Sequence, residues 1–381
     1  MIQNNEFTQF TESNTETIQP PPYQEMTPEI SRRLKDPFDN PTEYHEYRED
    51  YSKIVPWLRL PEFKLSFEPA RTERKLIKRT YSIGSLCVLL NYLGAQIAAL
   101  LLIEIIKIII GAVNPSANSD AISDYMSQTS IMYAINMLVF LLANVGFALL
   151  GLKWAKIKPK TMLKPKNFNA LYAFQYCIIG LMIWFIAAMI SAGVEEIFSK
   201  FGHSTIVDML DDDITTPLGM AVMVLYSCII APITEEIFYR GMVLKVFSQA
   251  NQRFAIIISA VFFGLAHGNL PQFALAFLLG IFLAHITMKH DSIIPSIIVH
   301  MCINTTVTLG SEVSEIILIS AALISFIAGL VLLPKFRKTD KLPATTPAQT
   351  RRGISVALTT VGFDITVVFM VFGMLLILMT N

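Results

Sequence analysis

The sequence predicts an all-α fold: a polytopic transmembrane helical bundle with about eight to nine crossings. Of the 381 residues, 53% are apolar and only 16% are charged, whereas a soluble domain usually carries about 25% charged residues. The deficit lies in apolar runs of roughly 18–25 residues, which are long enough for a helix to cross a bilayer. These features exclude an ordinary soluble enzyme, a disordered chain and a disulfide scaffold.

The charges of the polar connections predict how the apolar runs cross the membrane. The runs lie at 81–110, 131–152, 170–192, 218–249, 254–267, 271–288, 293–309, 316–333 and 354–379. Basic residues mark cytoplasmic connections. They are the main charged residues of 59–79, 153–169 and 334–353. By contrast, 111–130 has no basic residue, and the charged residues of 193–217 are acidic except for Lys200. This alternation predicts nine crossings of the cell membrane, with the N-terminus in the cytoplasm and the C-terminus outside.

Four regions follow from this organisation. Residues 1–80 are predicted to form a polar cytoplasmic N-terminal tail that is partly disordered, because its first part is too polar to bury a core. Residues 81–217 form the N-terminal transmembrane helices, 218–310 a central core, and 311–381 the C-terminal transmembrane helices.

The cysteines and the net charge limit the expected partners. The four cysteines lie in apolar runs without CxxC spacing, so they are predicted to be small buried hydrophobes and not disulfides or a zinc site. They are Cys87, Cys177, Cys228 and Cys302. The net charge is zero, which gives no indication of a nucleic-acid partner. The expected environment is the lipid bilayer.

Charged residues inside the apolar runs are functional candidates, because a charge at the bilayer centre costs roughly 2.5–3.5 kcal/mol on insertion scales. Two sites have simpler explanations. Glu104 and Lys107 are spaced i,i+3 and fit a local ion pair. Asp364 stands alone in the last run and fits a capped or water-exposed acid.

The segment 235–240 places three charges within an otherwise apolar stretch. Glu236 and Arg240 are spaced i,i+4, so they share a helix face and can pair. Glu235 is turned about 100° from Glu236 and must face something else. A cytoplasmic helix end, where charges meet water, is the alternative interpretation.

Two other apolar runs carry polar side chains. His267 lies next to small residues, which allow close approach of a neighbouring backbone. His300 and Asn304 are spaced i,i+4 and share one face of their run. Both sites have a structural alternative, because these groups can simply hydrogen-bond to a neighbouring helix.

The depths of these residues predict that they lie in one layer. At 1.5 Å per residue, Glu235 and His267 lie roughly 23 and 24 Å from the polar break at 249–253. From the next inner turn, His300 and Asn304 lie roughly 14 and 20 Å deep. All four are therefore expected at the middle to outer level of the membrane.

The run 254–267 is too short to cross the membrane alone. We expect it to rise beside 218–249, turn at Gly268-Asn269-Leu270-Pro271, and descend as 271–288. A turn at that depth is tolerated when it is buried in protein or lines a water-filled cavity.

A layer with one carboxylate, two imidazoles and a carboxamide fits peptide hydrolysis by an activated water. A carboxylate beside a neutral imidazole can take a proton from water, and the other groups can donate to the oxyanion of a tetrahedral intermediate. The sequence contains no GxSxG motif, no HExxH motif and no paired intramembrane aspartates. Serine, HExxH-type and aspartyl intramembrane proteases are therefore disfavoured.

Three ordered motifs resemble those of the type II CAAX prenyl endopeptidase family, whose prokaryotic members are often called CPBP or bacteriocin-processing-like intramembrane proteases. The motifs are Glu235-Glu236-x-x-x-Arg240, Phe263-x-x-x-His267 and His300-x-x-x-Asn304. The resemblance covers about residues 218–310, which would then be the CAAX-protease-like catalytic core. It implies an α-helical bundle with a polar intramembrane cavity.

The resemblance also implies a role for each motif residue. Glu235 would be the water-activating base and His267 its partner, His300 and Asn304 would be the oxyanion donors, and Glu236 with Arg240 would be the supporting pair. Metal dependence stays open, because Glu235, His267 and His300 would also make a three-ligand zinc site with water in the fourth position. We favour no cofactor, since a carboxamide beside His300 suits oxyanion binding.

The predicted function is that of a bacterial intramembrane endopeptidase acting on a peptide or membrane-protein substrate. One alternative is a non-proteolytic membrane scaffold or bacteriocin-immunity-type protein of the same family. Another is a transporter, against which the lack of visible internal symmetry counts.

Overall fold

The computed structural model describes residues 69–114, 118–201, 216–339 and 353–380, which form helices and no strand. The helices are α1 (Pro69–Val113), α2 (Ser119–Ser127), α3 (Thr129–Trp154), α4 (Ala170–Ser199), α5 (Pro217–Ser248), α6 (Gln252–Leu265), α7 (Leu270–His290), α8 (Ile294–Val313), α9 (Glu315–Thr339) and α10 (Val361–Thr380). Most of the predicted N-terminal tail, 1–68, lies outside the described residues, as do 202–215 and 340–352 of the predicted acidic and basic connections.

Seven helices in the described part of the chain are long and apolar enough to cross a membrane: α1, α3, α4, α5, α7, α9 and α10. α6 is also apolar but shorter, and so is the apolar part of α8, Ile294–Gly310. Every predicted apolar run overlaps a helix, so the predicted all-α polytopic bundle is confirmed. The described residues thus hold seven full-length candidates and two shorter apolar helices, compared with the predicted eight to nine crossings.

The predicted turn between α6 and α7 is present. The Asn269 side-chain oxygen accepts the Gln272 N–H at 2.9 Å and so caps the start of α7. Gly268 adopts a φ of +74°, a left-handed conformation that favours glycine. α6 and α7 then pack closely, because a Cβ at Gly264 would lie only 2.8 Å from the Phe273 ring.

Two connections that were both predicted to be cytoplasmic meet at one end of the bundle. The Lys166 N–H, between α3 and α4, donates to the His290 carbonyl at the end of α7 at 2.9 Å. Asp291 follows α7 and pairs with Lys166 at 3.1 Å and with Lys245. Burial would raise the pKa of Asp291, but the two lysines outweigh burial and hold the pKa below its ordinary value. That this end faces the cytoplasm stays a prediction.

The isolated charges and the cysteines have simple structural surroundings. Glu104 and Lys107 lie 3.0 Å apart on α1, which confirms the local ion pair. Asp364 lies in the first turn of α10, where the helix dipole favours an acid. All four cysteines are free, and the thiols of Cys177 on α4 and Cys302 on α8 contact each other.

Candidate active site

The helix that carries the two glutamates is irregular. α5 contains two π-helical segments, Leu225–Ile230 and Glu236–Leu244, with a single α-helical turn, Ala231–Glu235, between them. In the first segment the Ala231 N–H donates to the Tyr226 carbonyl, five residues back. Such segments are rare and frequently occur at functional sites. Glu235 is thus the last residue of a short turn between two departures from α-helical geometry.

Pro232 explains why α8 forms a hydrogen bond to the backbone of α5 in this region. In the π-helical pattern the Ser227 carbonyl would accept the N–H of residue 232, but proline has none. Asn304 of α8 supplies the missing donor, because its Nδ2 donates to the Ser227 oxygen at 2.9 Å. The irregularity of α5 therefore creates the acceptor that ties α8 to it.

Glu236 and Arg240 form the predicted ion pair in a fully buried position. The Arg240 Nη1 lies 2.8 Å from the Glu236 Oε1, and the two side chains are 1% and 0% exposed. Arg240 also donates to the Gly280 carbonyl of α7 at 3.4 Å. A side chain at residue 280 would crowd this contact, since a Cβ there would lie 3.4 Å from the Arg240 Nη2 and 3.0 Å from Ala260.

His300 lies between the two glutamates. Its Nδ1 is 3.0 Å from the Glu236 Oε1, and because a carboxylate accepts, this ring nitrogen carries the proton. Its Nε2 is 3.8 Å from the Glu235 Oε2, longer than a hydrogen bond but within ion-pair range. The side chain of Glu235 is 12% exposed, whereas that of Glu236 is completely buried. Glu235 is therefore the more accessible of the two carboxylates.

His267 joins this group through its contacts with Phe263. Its Nδ1 donates to the Phe263 carbonyl at 2.9 Å, which leaves Nε2 as an acceptor. The Phe263 ring lies 5.1 Å from the His267 ring and 5.8 Å from the His300 ring, and Arg240 lies 4.3 Å above it. The sequence analysis assigned no role to Phe263. Its position four residues before His267, a spacing that places two residues on the same face of a helix, was the feature that could have indicated this contact.

The predicted site residues come from two helices and a turn. α5 supplies Glu235, the turn after α6 supplies His267, and α8 supplies His300 and Asn304. Among the described residues, no group of three His, Cys, Asp or Glu side chains is spaced to hold a metal ion, and metal dependence stays a prediction. The arrangement provides an accessible carboxylate, an imidazole acceptor and two side chains that can donate hydrogen bonds.

Comparisons with known proteins agree with the motifs. Residues 217–306 match the family model described as "Type II CAAX prenyl endopeptidase Rce1-like". The chain is 25% identical over 158 residues to the "Putative membrane peptidase YdiL" of Bacillus subtilis (strain 168), covering 40% of this chain and 62% of that protein. No solved structure matches the chain. The matched segment holds all seven motif residues, so the resemblance to type II CAAX prenyl endopeptidases extends over residues 217–306 of this chain.

Proposed function

We propose that this multi-pass membrane protein is an intramembrane endopeptidase that hydrolyses a peptide bond of a peptide or membrane-protein substrate. The observation that carries the proposal is the position of His300 between two unlike carboxylates. Glu236 is buried and paired with Arg240, and it anchors one side of the imidazole. Glu235 is partly accessible on the other side. Adjacent glutamates thereby take separate roles, one in support and one in the reaction.

Glu235 acts as the general base in this proposal. Its carboxylate accepts a proton from water while the water oxygen bonds to the scissile carbonyl carbon. His267 orients the same water, because its Nδ1 proton is held by a backbone carbonyl and its Nε2 can accept a hydrogen bond. The pair of carbonyl electrons moves to the oxygen and forms a tetrahedral oxyanion.

His300 and Asn304 stabilise the oxyanion. When both ring nitrogens are protonated, His300 keeps Nδ1–H on Glu236 and presents Nε2–H to the substrate. Asn304 uses one amide hydrogen on the Ser227 carbonyl and has a second to donate. When the intermediate collapses, the C–N bond breaks and Glu235 returns its proton to the leaving nitrogen.

We propose that the reaction needs no metal ion. One feature that supports this is that Glu235, His267 and His300 do not come together as a metal-ligand set in the described part of the chain. A second feature is the carboxamide of Asn304, which can donate to an oxyanion and is not among the usual zinc ligands.

The test is comparative peptidomics of membranes that contain the wild-type protein or Glu235→Ala. We expect peptides with new termini in the wild-type sample and their loss in the variant at equal protein abundance. Glu104→Ala is the matched control, because it removes an exposed carboxylate of α1 and should keep the products. The same products from Glu235→Ala would refute the assignment of the base.

A further inference from the structure

A buried polar network reaches the turn that carries Glu235 from two helices outside the family-matched segment. The Asn91 Nδ2 of α1 donates to the Asn144 Oδ1 of α3 at 2.9 Å. The Asn144 Nδ2 donates to the Thr234 Oγ1 of α5 at 3.3 Å. The Thr234 hydroxyl then donates to the Ala231 carbonyl at 3.2 Å. The three side chains are 6%, 4% and 2% exposed.

The network ends at the residue before Glu235. Thr234 and Ala231 both belong to the single α-helical turn between the two π-helical segments. A hydroxyl bonded to the carbonyl three residues earlier bends and fixes a helix locally. Asn304 of α8 bonds to the neighbouring part of α5. α5 therefore receives one hydrogen bond from α3 and another from α8 near this turn.

Hydrogen bonds between membrane helices contribute to helix packing, and buried amide and hydroxyl groups need such partners. Hydrogen bonds have direction, and directional contacts fix the rotation of a helix more narrowly than apolar packing does. A narrow rotation matters most where a reacting carboxylate must be held in place.

We propose that Asn91, Asn144 and Thr234 are positioning residues that fix the orientation of Glu235. The inference rests on the proposed function, since it assigns these residues to the same reaction. Thr234 contacts the carbonyl at the start of the Glu235 turn, Asn144 holds Thr234, and Asn91 holds Asn144. The effect of removing each member should therefore decrease in that order.

Thr234→Val is the decisive variant, because valine keeps the shape and loses the hydroxyl. The assay is cleavage of a quenched fluorescent peptide that carries the cleavage site found by peptidomics. We expect kcat to fall about tenfold to a hundredfold, as for a misplaced catalytic group, with KM within about twofold of wild type. Thr234→Ser keeps the hydroxyl and should recover most of kcat. Asn144→Leu should lower kcat less than Thr234→Val, and Asn91→Leu least.

Thr366→Val is the matched control for simple loss of a buried hydrogen bond. Thr366 of α10 is 0% exposed, and its hydroxyl lies 2.8 Å from the Gly362 carbonyl of its own helix and 3.1 Å from the Ser85 carbonyl of α1. This variant removes the same kind of group from the same kind of place, away from Glu235. It should keep the wild-type kcat.

A second measurement needs no turnover. Dicyclohexylcarbodiimide modifies membrane-embedded carboxyl groups, and peptide mass spectrometry follows its reaction with Glu235. The labelling rate should change in Thr234→Val and stay at the wild-type value in Thr234→Ser and Thr366→Val.

The two measurements separate the two claims. Wild-type kcat and labelling in Thr234→Val would overturn the positioning role, and so would an equal loss of kcat in Thr366→Val. In one outcome the wild-type protein cleaves no peptide, but the carbodiimide labelling rate of Glu235 changes only in Thr234→Val. That result would support the positioning role and overturn the proposed protease activity. If wild type cleaves nothing and labelling is the same in all variants, both claims are overturned.

Discussion

Replacing Arg240 by methionine should destabilise the protein strongly, and replacing its partner as well should restore stability without restoring cleavage. Arg240 and Glu236 are 1% and 0% exposed and lie 2.8 Å apart. At that distance and an effective dielectric constant of about 20, the Coulomb attraction is about 6 kcal/mol. Arg240→Met leaves the Glu236 charge buried beside His300 alone, and such losses cost about 3–5 kcal/mol.

The double variant Glu236→Leu/Arg240→Met removes both charges together. Exchange of a buried ion pair for apolar residues is often neutral or stabilising by about 1–4 kcal/mol, so its unfolding free energy should lie within about 2 kcal/mol of wild type. Cleavage should stay lost, because the His300 Nδ1 no longer has the carboxylate that it contacts at 3.0 Å.

Stability is measured by sodium dodecyl sulfate titration in mixed micelles with circular dichroism, and activity by cleavage of the quenched peptide. A double variant as unstable as Arg240→Met would refute the charge-compensation argument. A stable double variant with wild-type cleavage would refute the anchoring of His300 by Glu236.

Three further predictions concern other parts of the molecule. Because the pKa of Asp291 is lowered in the fold, its carboxylate stabilises the protein above the ordinary aspartate pKa of about 3.9, and this contribution is lost as pH falls through the folded-state pKa. Asp291→Asn should therefore flatten the acid side of the plot of unfolding midpoint against pH, and an unchanged acid side would contradict this. Cleavage by purified protein should resist a zinc chelator, and a stoichiometric metal, found by elemental analysis, whose removal abolishes cleavage would contradict the metal-free proposal. Pro232→Ala returns an N–H to the Ser227 carbonyl, so Asn304→Leu should destabilise that variant less than wild type; unfolding free energies that add within about 0.5 kcal/mol would contradict the assigned contact.

The sequence predicts those features that lipid and local helix geometry determine. Backbone groups in a bilayer must be satisfied internally, so long apolar runs become helices, and the runs match the observed elements. The Glu236–Arg240 pair follows from i,i+4 spacing, and the turn at Gly268 follows from the length of its run. The number of full crossings was harder to predict, because hydropathy alone does not show where one helix ends and the next begins. α8 ends at Val313, and α9 begins at Glu315.

The contacts that orient the site could not be predicted, because each joins residues far apart along the chain. Asn304 bonds to a carbonyl 77 residues away, and Asn144 bonds to Thr234 across 90 residues. In a regular α-helix the interior carbonyls accept hydrogen bonds from the helix itself, so few backbone acceptors are available to neighbouring helices. Pro232 removes one internal donor, and the π-helical segments shift the others, so α5 accepts hydrogen bonds from outside. The local irregularity of α5 is thus what lets Asn304 of α8 bind the Ser227 carbonyl, whereas Asn144 of α3 reaches the turn ending at Glu235 through the Thr234 hydroxyl.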